Sequence, residues 1–441
     1  MIIGNVTIIT FGQNPEVIQG GGVYVENGVI ADVGSLNEIQ KRYPEAEYLD
    51  GDGRFLLPGW INCHTHLYSA MARGISLNAP SPGNFNEILK SLWWRLDRVL
   101  DEEAVRLSAF MGIIEAIRSG TTLLIDHHSS PGCIDGSLDM IAEAFEEAGI
   151  RGVICYETSD RDGPEARDAA IRENIRFIEK SRKENPPLLR GMFGLHASFT
   201  LSDETLKRCV EAGKSLRSGF HVHCAEAESD LLFTREHYGK TVVQRFADAG
   251  LTGEHSILSH CVHITENDVD LLRETGSIAV HNPRSNMNNA VGCAPLLSLV
   301  EKGILVGIGT DGMSSSATDD LQTVMLLQRH SNQDPAVAFE ESCRLLVENN
   351  PRIASRFFNE NPGVIEEGSP ADVILVNYNP PTPVTSDNLY GHLLFGMARA
   401  HVDTVITAGK IIMKNNRILT IDEEEISRKS QEKAVEIWNR F

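Results

Sequence analysis

The chain has 441 residues, of which 40 are Lys or Arg and 61 are Asp or Glu, so its formal net charge is −21. This length predicts either roughly two or three domains or one large barrel. The acidic balance argues against a nucleic-acid partner, which would normally meet a basic face. A hydrophobic fraction of 41% is typical of a globular protein with a full core. Because no window reaches about 18 uninterrupted apolar residues, we expect no transmembrane helix.

The cysteines and the N-terminal sequence both favour a reducing compartment. The eight cysteines are scattered and include no CxxC pair, which argues against a disulfide framework. The opening residues, MIIGNVTIITFGQNPE, have no basic region and no small-residue cleavage site after an apolar run. We therefore interpret them as a strand rather than a signal peptide, and we expect a cytoplasmic enzyme with no membrane partner.

Small β structure is predicted at both ends of the chain. The segment GGVYVENGVIADVG contains two short strands joined at Asn27-Gly28, a pair that accepts the positive φ of a tight hairpin. Near the other end, ADVILVNY and VDTVITAGKIIMKNNRIL predict further strands, and the charged segment IDEEEISRKSQEKAVEIWNRF predicts an amphipathic helix. We expect residues 1–56 and 369–441 to combine into one small domain.

The middle of the chain, residues 57–368, alternates strand and helix patterns. The clearest helix is DEEAVRLSAFMGIIEAIRSG, with Asp101 as N-cap and Gly120 at its end. Eight continuous apolar runs are typical of parallel strands that are covered on both sides. The runs are FLLPGWINCH, TTLLIDH, RGVICYE, RGMFGLH, GFHVHCA, SILSHCV, SIAVHNP and ILVGIGTD. This α/β pattern favours a (β/α)8 barrel, with a doubly wound open sheet as the alternative.

Polar residues end almost every one of these eight runs. They are His64, His66, His196, His221, His223 with Glu226, His260, His281 with Asn282, and Asp311. In a barrel, the carboxyl ends of the strands carry the catalytic residues. His64 and His66 lie two positions apart, so on an extended strand they point to the same side. Two such imidazoles, with a carboxylate, suit zinc or ferrous iron.

Each of these residues also has a structural interpretation. A lone HxH pair is often structural, His196 or His281 can be a hydrogen-bonded core histidine, and Asp311 in GTDG can form a turn. Independent structural histidines, however, should not collect at the ends of successive strands. Their shared position is what favours a metal site.

Five segments resemble, in order, the strand motifs of the amidohydrolase superfamily. They are LPGWINCHTHLYSAMARG, HVHCAE, LSHCVHIT, HNPRSNMNNAVG and IGTDG. The branch they resemble most includes guanine deaminase, S-adenosylhomocysteine/methylthioadenosine deaminase and the triazine hydrolases. The resemblance spans nearly the whole chain, and it implies a (β/α)8 TIM barrel, residues 57–368, with a β-sandwich built from both chain ends.

The resemblance implies one divalent metal ion per chain, with zinc favoured and iron or manganese as alternatives. Its ligands would be His64, His66, His223 and Asp311. His223 is selected over His221 because, in this branch, the metal histidine lies three residues before the glutamate, and His221 is then a packing or supporting residue. The fourth run ends GLHAS, without the lysine of many two-metal members, which favours one metal.

The implied chemistry is hydrolysis at an amine-bearing carbon of a nitrogen heterocycle, such as a purine or pyrimidine, with release of ammonia. A metal ion lowers the pKa of bound water from 15.7 to about 7 and so supplies hydroxide at neutral pH. Asp311 would accept a proton from that water, Glu226 would act as general acid and base, and His260 would orient the hydroxide. The three residues form the predicted catalytic set.

Four residues are predicted to contact the substrate. His196 matches a substrate contact of the branch, and Arg284 lies near the seventh-strand motif. Glu87 roughly matches a glutamate that binds ribose hydroxyls in adenosine-type deaminases, although an exposed helix residue is as good an interpretation. His128, in an unusual second-strand ending beside His127, is the fourth.

The segment NAPSPGNFNEILKSLWW, residues 78–94, occupies the place where this branch holds its substrate. Trp93 and Trp94 can stack on a flat ring, but we favour core packing for them. For Arg161, we favour a surface or loop salt bridge.

Three functions compete on the sequence alone. The leading one is an aminohydrolase on a small heterocycle, a hydrolase of carbon–nitrogen bonds other than peptide bonds. The second is a chlorohydrolase or cyclic-amide hydrolase that uses the same site. The third, a non-enzymatic scaffold, is disfavoured because every ligand position and Glu226 are present. A homodimer is expected, since dimers are common in the branch.

Overall fold

The computed structural model describes residues 1–12, 14–77 and 80–441, and in these ranges it has an α/β fold with three β-sheets. The strands are β1 (Ile2–Ile9), β2 (Val17–Glu26), β3 (Val29–Ser35), β4 (Tyr48–Asp50), β5 (Phe55–Pro58), β6 (Trp60–Thr65), β7 (Thr121–His128), β8 (Arg151–Tyr156), β9 (Leu189–Gly191), β10 (Phe193–Ala197), β11 (Phe220–Cys224), β12 (Ile257–His260), β13 (Ile278–His281), β14 (Val306–Ile308), β15 (Val373–Asn377), β16 (His401–Thr407), β17 (Lys410–Lys414) and β18 (Arg417–Ile418).

The α-helices are α1 (Leu36–Arg42), α2 (Phe85–Ile88), α3 (Trp94–Val99), α4 (Glu102–Ser119), α5 (Ser137–Ala148), α6 (Pro164–Glu184), α7 (Asp203–Ser215), α8 (Glu228–Tyr238), α9 (Val242–Ala249), α10 (Glu266–Thr275), α11 (Pro283–Asn288), α12 (Leu296–Glu301), α13 (Leu321–Asn332), α14 (Phe339–Arg344), α15 (Asn350–Phe358), α16 (Leu389–Phe395) and α17 (Glu423–Arg440). Short 3-10 helices cover Leu67–Ala72, Ser198–Thr200, Ser386–Asn388 and Met397–Arg399, and π-helical turns cover Leu89–Trp93 and Leu345–Asn349. None of the helices in the described ranges is both long enough and apolar enough to cross a membrane.

Both ends of the chain meet in one nine-stranded sheet. Its strand order is β18-β17-β16-β15-β5-β1-β2-β3, with β4 paired to β1. The predicted hairpin is confirmed: β2 and β3 are antiparallel, and Asn27 and Gly28 between them have φ of 52° and 82°. The predicted strands near the C-terminus form β15 to β18, and the predicted terminal helix is α17. The N-terminal and C-terminal segments therefore share one set of backbone hydrogen bonds.

All eight predicted runs of the middle region contribute parallel strands, and the fourth run contributes two, β9 and β10. The first residues of the first run form β5 of the nine-stranded sheet. The parallel strands lie in two sheets, of order β6-β7-β8-β9 and β10-β11-β12-β13-β14. Single parallel bridges between Thr65 and Asp311 and between Thr158 and Leu195 connect the two sheets at both ends. The strands follow one another in chain order, without the reversal of order that a doubly wound sheet has.

Alternate side chains of these strands pack together in a buried apolar cluster. The cluster contains Ile61, Cys63, Leu123, Ile125, Val153, Cys155, Met192, Ile257, Ile278 and Val280. Helices pack on the other side of the strands, and α4 is the clearest. It begins at Asp101, whose carboxylate accepts a hydrogen bond from the Ala104 amide at 3.1 Å, and ends at Gly120, with φ of 80°. Both predicted ends of this helix are confirmed.

A buried ion pair links the parallel strands to the nine-stranded sheet. Arg151, at the start of β8, donates from Nε to Asp372 Oδ2 at 2.6 Å, and both side chains are almost fully buried. The other carboxylate oxygen of Asp372 accepts from the Ala408 amide at 2.7 Å. The pair therefore joins three parts of the chain that are distant in sequence.

We expect Asp372→Asn to lower the free energy of unfolding by about 3 kcal/mol, because it leaves the buried Arg151 charge without its closest partner. Urea denaturation, compared with that of the exposed control Asp387→Asn, measures the change. Equal stability of the two variants would contradict a structural role for the pair.

Candidate metal centre and active site

Four predicted ligands from three strands meet at the carboxyl ends of the parallel sheets. His66 Nε2 lies 3.1 Å from His223 Nε2 and 3.0 Å from Asp311 Oδ1. His64 Nε2 lies 3.5 Å from the same aspartate oxygen. The sequence brings them together because His64 ends β6 with His66 just after it, His223 lies on β11, and Asp311 follows β14. The four donors can surround one small cation.

Hydrogen bonds at the far side of two rings favour a cation between them. His66 Nδ1 donates to the backbone carbonyl of His127, and His223 Nδ1 donates to that of His196 at 2.9 Å. Both Nε2 atoms therefore carry lone pairs, and these face each other and the Asp311 carboxylate at about 3 Å. His64 Nε2 is buried and has no hydrogen-bond partner within the described ranges. Lone pairs and an anion at these distances fit a divalent metal such as zinc.

A third ring is oriented by a neighbouring histidine. His64 Nδ1 lies 2.9 Å from His221 Nε2, so it can donate there while His64 Nε2 faces the ligand cluster. His221 also contacts Ser259 Oγ at 3.2 Å and stacks on His127, with ring centroids 4.3 Å apart. The supporting position expected for His221 agrees with this geometry, in which it touches a ligand histidine rather than the pocket.

We expect His221→Ala to weaken metal affinity by about 10–100-fold, the usual cost of losing a group that orients a metal ligand. His221→Gln, whose amide oxygen can still accept from His64, should recover part of the loss. Competition with a chromogenic chelator gives the affinity, and the exposed His255→Ala is the control. Unchanged affinity in His221→Ala would remove His221 from the metal site.

Glu226 and His260 lie beside the ligand cluster. His260 Nε2 is 3.6 Å from Glu226 Oε2 and 3.9 Å from Asp311 Oδ2. The Asn286 amide donates to His260 Nδ1 at 2.9 Å, which leaves the ring hydrogen on Nε2, pointing between the two carboxylates. Asn289 Nδ2 holds Glu226 Oε1 at 3.1 Å. With that hydrogen, His260 is a donor beside the site rather than a ligand.

The electrostatics of Glu226 suit an acid. Burial, and next the nearby Asp311 carboxylate, raise the pKa of Glu226 well above its ordinary value. A carboxyl group whose pKa is raised keeps its proton more readily and can donate it to a substrate during turnover.

The backbone is strained at three points around the cluster. His260, Asp311 and Ala225, which precedes Glu226, have φ of 78°, 54° and 47°, in the left-handed region that favours glycine. Each such residue costs on the order of 1–3 kcal/mol, and such strain gathers at functional sites. Here it turns the chain at the strand ends, where the cluster side chains are presented.

A pocket opens on this cluster, and His66, His223, Glu226 and Asp311 are among its lining residues. Four aromatic side chains, Phe85, Trp93, Trp94 and Phe199, contribute to its lining. The expectation that both tryptophans belong to the core holds only in part: Trp93 packs against the apolar core, and both side chains line the pocket. They are half-buried at the pocket, on a helix in which a π-helical turn, Leu89–Trp93, joins α2 to α3. Asn78 and Ala79, the first residues of the predicted substrate segment, lie outside the described residues.

Of the four predicted substrate contacts, the structure brings one into the pocket. His196 lines it, with Nδ1 2.7 Å from Thr200 Oγ1. Glu87 is exposed, and its carboxylate accepts from the Gly83 amide at 2.7 Å and the Asn84 side chain at 2.8 Å. Arg284 pairs with Asp319 at 2.8 Å, away from the pocket lining.

His128 is buried behind the pocket wall. Its Nε2 contacts Ser130 Oγ at 2.8 Å, and its ring lies edge-on to Tyr68, which does line the pocket. Glu87, Arg284 and His128 are thus held by neighbours outside the pocket lining, and their role as substrate contacts stays a prediction.

The sequence analysis did not predict the position of two residues that line the pocket, Glu157 and Arg161. Glu157 is buried at the end of β8 and lines the pocket, with Oε1 3.5 Å from His66 Nδ1. The strand-end rule applied to RGVICYE would have found it. Arg161, for which a surface salt bridge was favoured, is almost buried, pairs with the buried Asp97 and lies over the Trp94 ring at 5.6 Å. No residue pattern near Arg161 in the sequence indicates its pairing with Asp97.

The whole chain resembles known proteins. The model of the Amidohydrolase family matches residues 55–412, and a model of the bacterial imidazolonepropionase-like composite domain matches residues 21–46. The 5-methylthioadenosine/S-adenosylhomocysteine deaminase of Desulforudis audaxviator is 30% identical over 420 residues, 94% of each chain.

Two solved structures share the fold. An adenosine deaminase from Xanthomonas campestris with bound zinc aligns with a TM-score of 0.88 and 22% identity, over 99% of this chain and 98% of that one. An atrazine chlorohydrolase from Arthrobacter aurescens, complexed with zinc, aligns with a TM-score of 0.84 and 19% identity, over 98% and 99%.

The chain therefore belongs to the amidohydrolase family, as the strand motifs predicted. It is a hydrolase, and its histidine-rich cluster is a candidate site for a divalent metal such as zinc.

Proposed function

We propose that the protein is a metal-dependent aminohydrolase that removes an amino group, as ammonia, from a ring carbon of a small nitrogen heterocycle. The observation that carries the proposal is that His64, His66, His223 and Asp311 meet within about 3.5 Å of one another beside the buried Glu226, in a pocket with aromatic side chains in its lining. The deaminase names of its relatives support the same reaction class.

The residues of the site have different roles in the proposed reaction. His64, His66, His223 and Asp311 would hold the metal, which, when bound, lowers the pKa of coordinated water and so makes a nucleophile available at neutral pH. Asp311 Oδ2, which accepts a hydrogen bond from Ser285, can take a proton from that water. His260 Nε2 points between the Asp311 and Glu226 carboxylates and can orient the attacking oxygen.

Glu226 carries the proton transfers to the substrate. Its carboxyl group would protonate the ring nitrogen next to the attacked carbon, and a proton would then move to the departing amine. Asn289 fixes one oxygen of this carboxyl group, which leaves the other free to face the reacting atoms. The aromatic side chains of the pocket would hold a flat ring and exclude water.

An ammonia-release screen tests the proposal. Zinc-replete protein is offered purines, pyrimidines, pterins, triazines and adenosine derivatives, and both ammonia and product masses are measured. We expect ammonia from one compound class, with a product one mass unit heavier than its substrate. Chloride or alkylamine release, or ring opening, without ammonia would contradict it and favour the chlorohydrolase or cyclic-amide alternative.

We further propose that the two parallel sheets close into one (β/α)8 barrel, residues 57–368, through the bridges Thr65–Asp311 and Thr158–Leu195. Residues 1–56 and 369–441 would form the composite β-sandwich domain, which the shared nine-stranded sheet supports. A cytoplasmic location, supported by eight free cysteines, and a homodimer stay predictions.

A further inference from the structure

Glu157 is a buried carboxylate that the proposed reaction does not use. Its side chain is 2% exposed, and within the described ranges the nitrogens that approach its carboxylate lie at 3.5 Å or more. The nearest ring nitrogens are His66 Nδ1 at 3.5 Å, His127 Nδ1 at 3.6 Å and His223 Nδ1 at 4.0 Å. Those of His66 and His223 donate to backbone carbonyls, and that of His127 lies just beyond hydrogen-bond distance. A buried carboxylate without donors is costly, and it calls for a partner that enters the pocket.

Arg161 is the complementary group on the same wall. Its Nη2 donates to Asp97 and to Ser129 Oγ, and its Nε donates to Asp162 at 3.2 Å. Nη1 has no such partner within the described ranges. The pairing with Asp97 holds the guanidinium in place, so its remaining N–H groups are fixed in direction.

The two opposite charges both line the pocket but do not touch. The ion pairs of Arg161 within 4.0 Å are those with Asp97 and Asp162, and Glu157 is not among them. In a site of low dielectric, an acceptor and a donor held apart favour a ligand that offers a donor to one and an acceptor to the other. Glu157 also lies beside two metal-ligand rings, so the bridging atoms belong to the reacting ring rather than to a distant substituent.

We propose that Glu157 and Arg161 together recognise one polar edge of the substrate, with Glu157 accepting from a ring N–H and Arg161 donating to an adjacent carbonyl oxygen. The substrate is then an amino heterocycle that carries a lactam, –NH–C(=O)–, and not a ring that lacks the carbonyl. This inference rests on the proposed aminohydrolase function and specifies its substrate class.

The first test compares lactam and non-lactam compounds on the zinc-loaded protein. Guanine, cytosine, isocytosine and pterin each pair an amino group with a lactam, and adenosine and 5′-deoxyadenosine lack one. We expect the best lactam compound to exceed both nucleosides in kcat/KM by about 100-fold or more, since a site built for a hydrogen bond strongly rejects an analogue without it. Methylation of its lactam nitrogen should remove this advantage.

The second test separates the role of Glu157 from a structural one. Glu157→Leu should lower kcat/KM for the best lactam compound by about 100-fold, mainly through KM. Glu157→Gln, which keeps an uncharged acceptor, should lose less. In Glu157→Leu, methylation of the lactam nitrogen should cause no further loss. Zinc content should stay at the wild-type value, and the exposed Glu165→Gln is the matched control.

Calorimetry of xanthine binding to the zinc-loaded protein tests substrate recognition by Glu157 separately from ammonia release. If no compound releases ammonia but Glu157→Leu weakens xanthine binding at least 10-fold, the recognition inference stands and the aminohydrolase proposal fails. If ammonia is released preferentially from the nucleosides, the recognition inference is overturned while the function stands. It is also overturned if Glu157→Leu behaves as Glu165→Gln does, or if Glu157→Leu loses zinc.

Discussion

Replacement of Glu226 by Gln is expected to lower kcat for ammonia release by about 10²–10⁴-fold, the usual contribution of a placed proton-transfer group. The amide keeps the size of the side chain and its contact with Asn289 but cannot deliver a proton to the ring nitrogen. Glu226 does not belong to the predicted ligand set, so zinc content should not change. Steady-state kinetics and elemental analysis of the same sample measure both quantities.

The exposed Glu228→Gln, two residues further along the chain, is the control for this variant and should keep wild-type turnover. Retained activity in Glu226→Gln would remove Glu226 from the proton-transfer step. Loss of zinc together with activity would instead assign Glu226 to the metal site.

Replacement of His223 by Ala is expected to abolish detectable turnover because it removes a metal ligand. The loss of metal affinity should exceed the about 10–100-fold cost of losing a group that only supports a ligand. His66 and Asp311 would keep their positions, but the metal would lose the one ligand that β11 contributes. We would measure the zinc that the variant retains after gel filtration and its turnover with added zinc.

The exposed His237→Ala is the matched control and should retain zinc and activity. Circular dichroism distinguishes metal loss from misfolding, since the ring is replaced at the end of a strand whose backbone pairing is unaffected. A His223→Ala protein that binds zinc as tightly as the wild type would contradict the ligand set.

The parts of the site that lie on strands could be predicted from the sequence. His64, His66, His223 and Asp311 follow apolar runs directly, and parallel strands that run in the same direction present their ends at one edge. The eight strands could be predicted because each is a continuous apolar run, and the hairpin because Asn27-Gly28 permits only a few tight turns.

The parts of the site that lie on loops could not be predicted in the same way. Arg161 is buried because Asp97, from α3, and Ser129, after β7, converge on it, and no local pattern encodes a meeting of three separate segments. Glu87 carries the acidic character expected of a substrate contact, but its carboxylate is held by the nearby Gly83 and Asn84.

The positions of Trp93 and Trp94 could not be predicted from the sequence for a different reason. Trp93 and Trp94 are apolar enough for a core, but both line the pocket, on a helix that contains the π-helical turn Leu89–Trp93. A π-helical turn shifts every later side chain around the helix axis, and the sequence does not mark where it occurs.

The central claim is that one divalent metal ion works with Glu226 in a single hydrolytic site. The most direct test is to remove metal with a chelator, to add zinc back in measured amounts, and to record ammonia release at each step. The account predicts no release without metal and a linear rise that stops at one zinc per chain. Full activity in the metal-free protein, or a rise that continues to two zinc ions per chain, would contradict it.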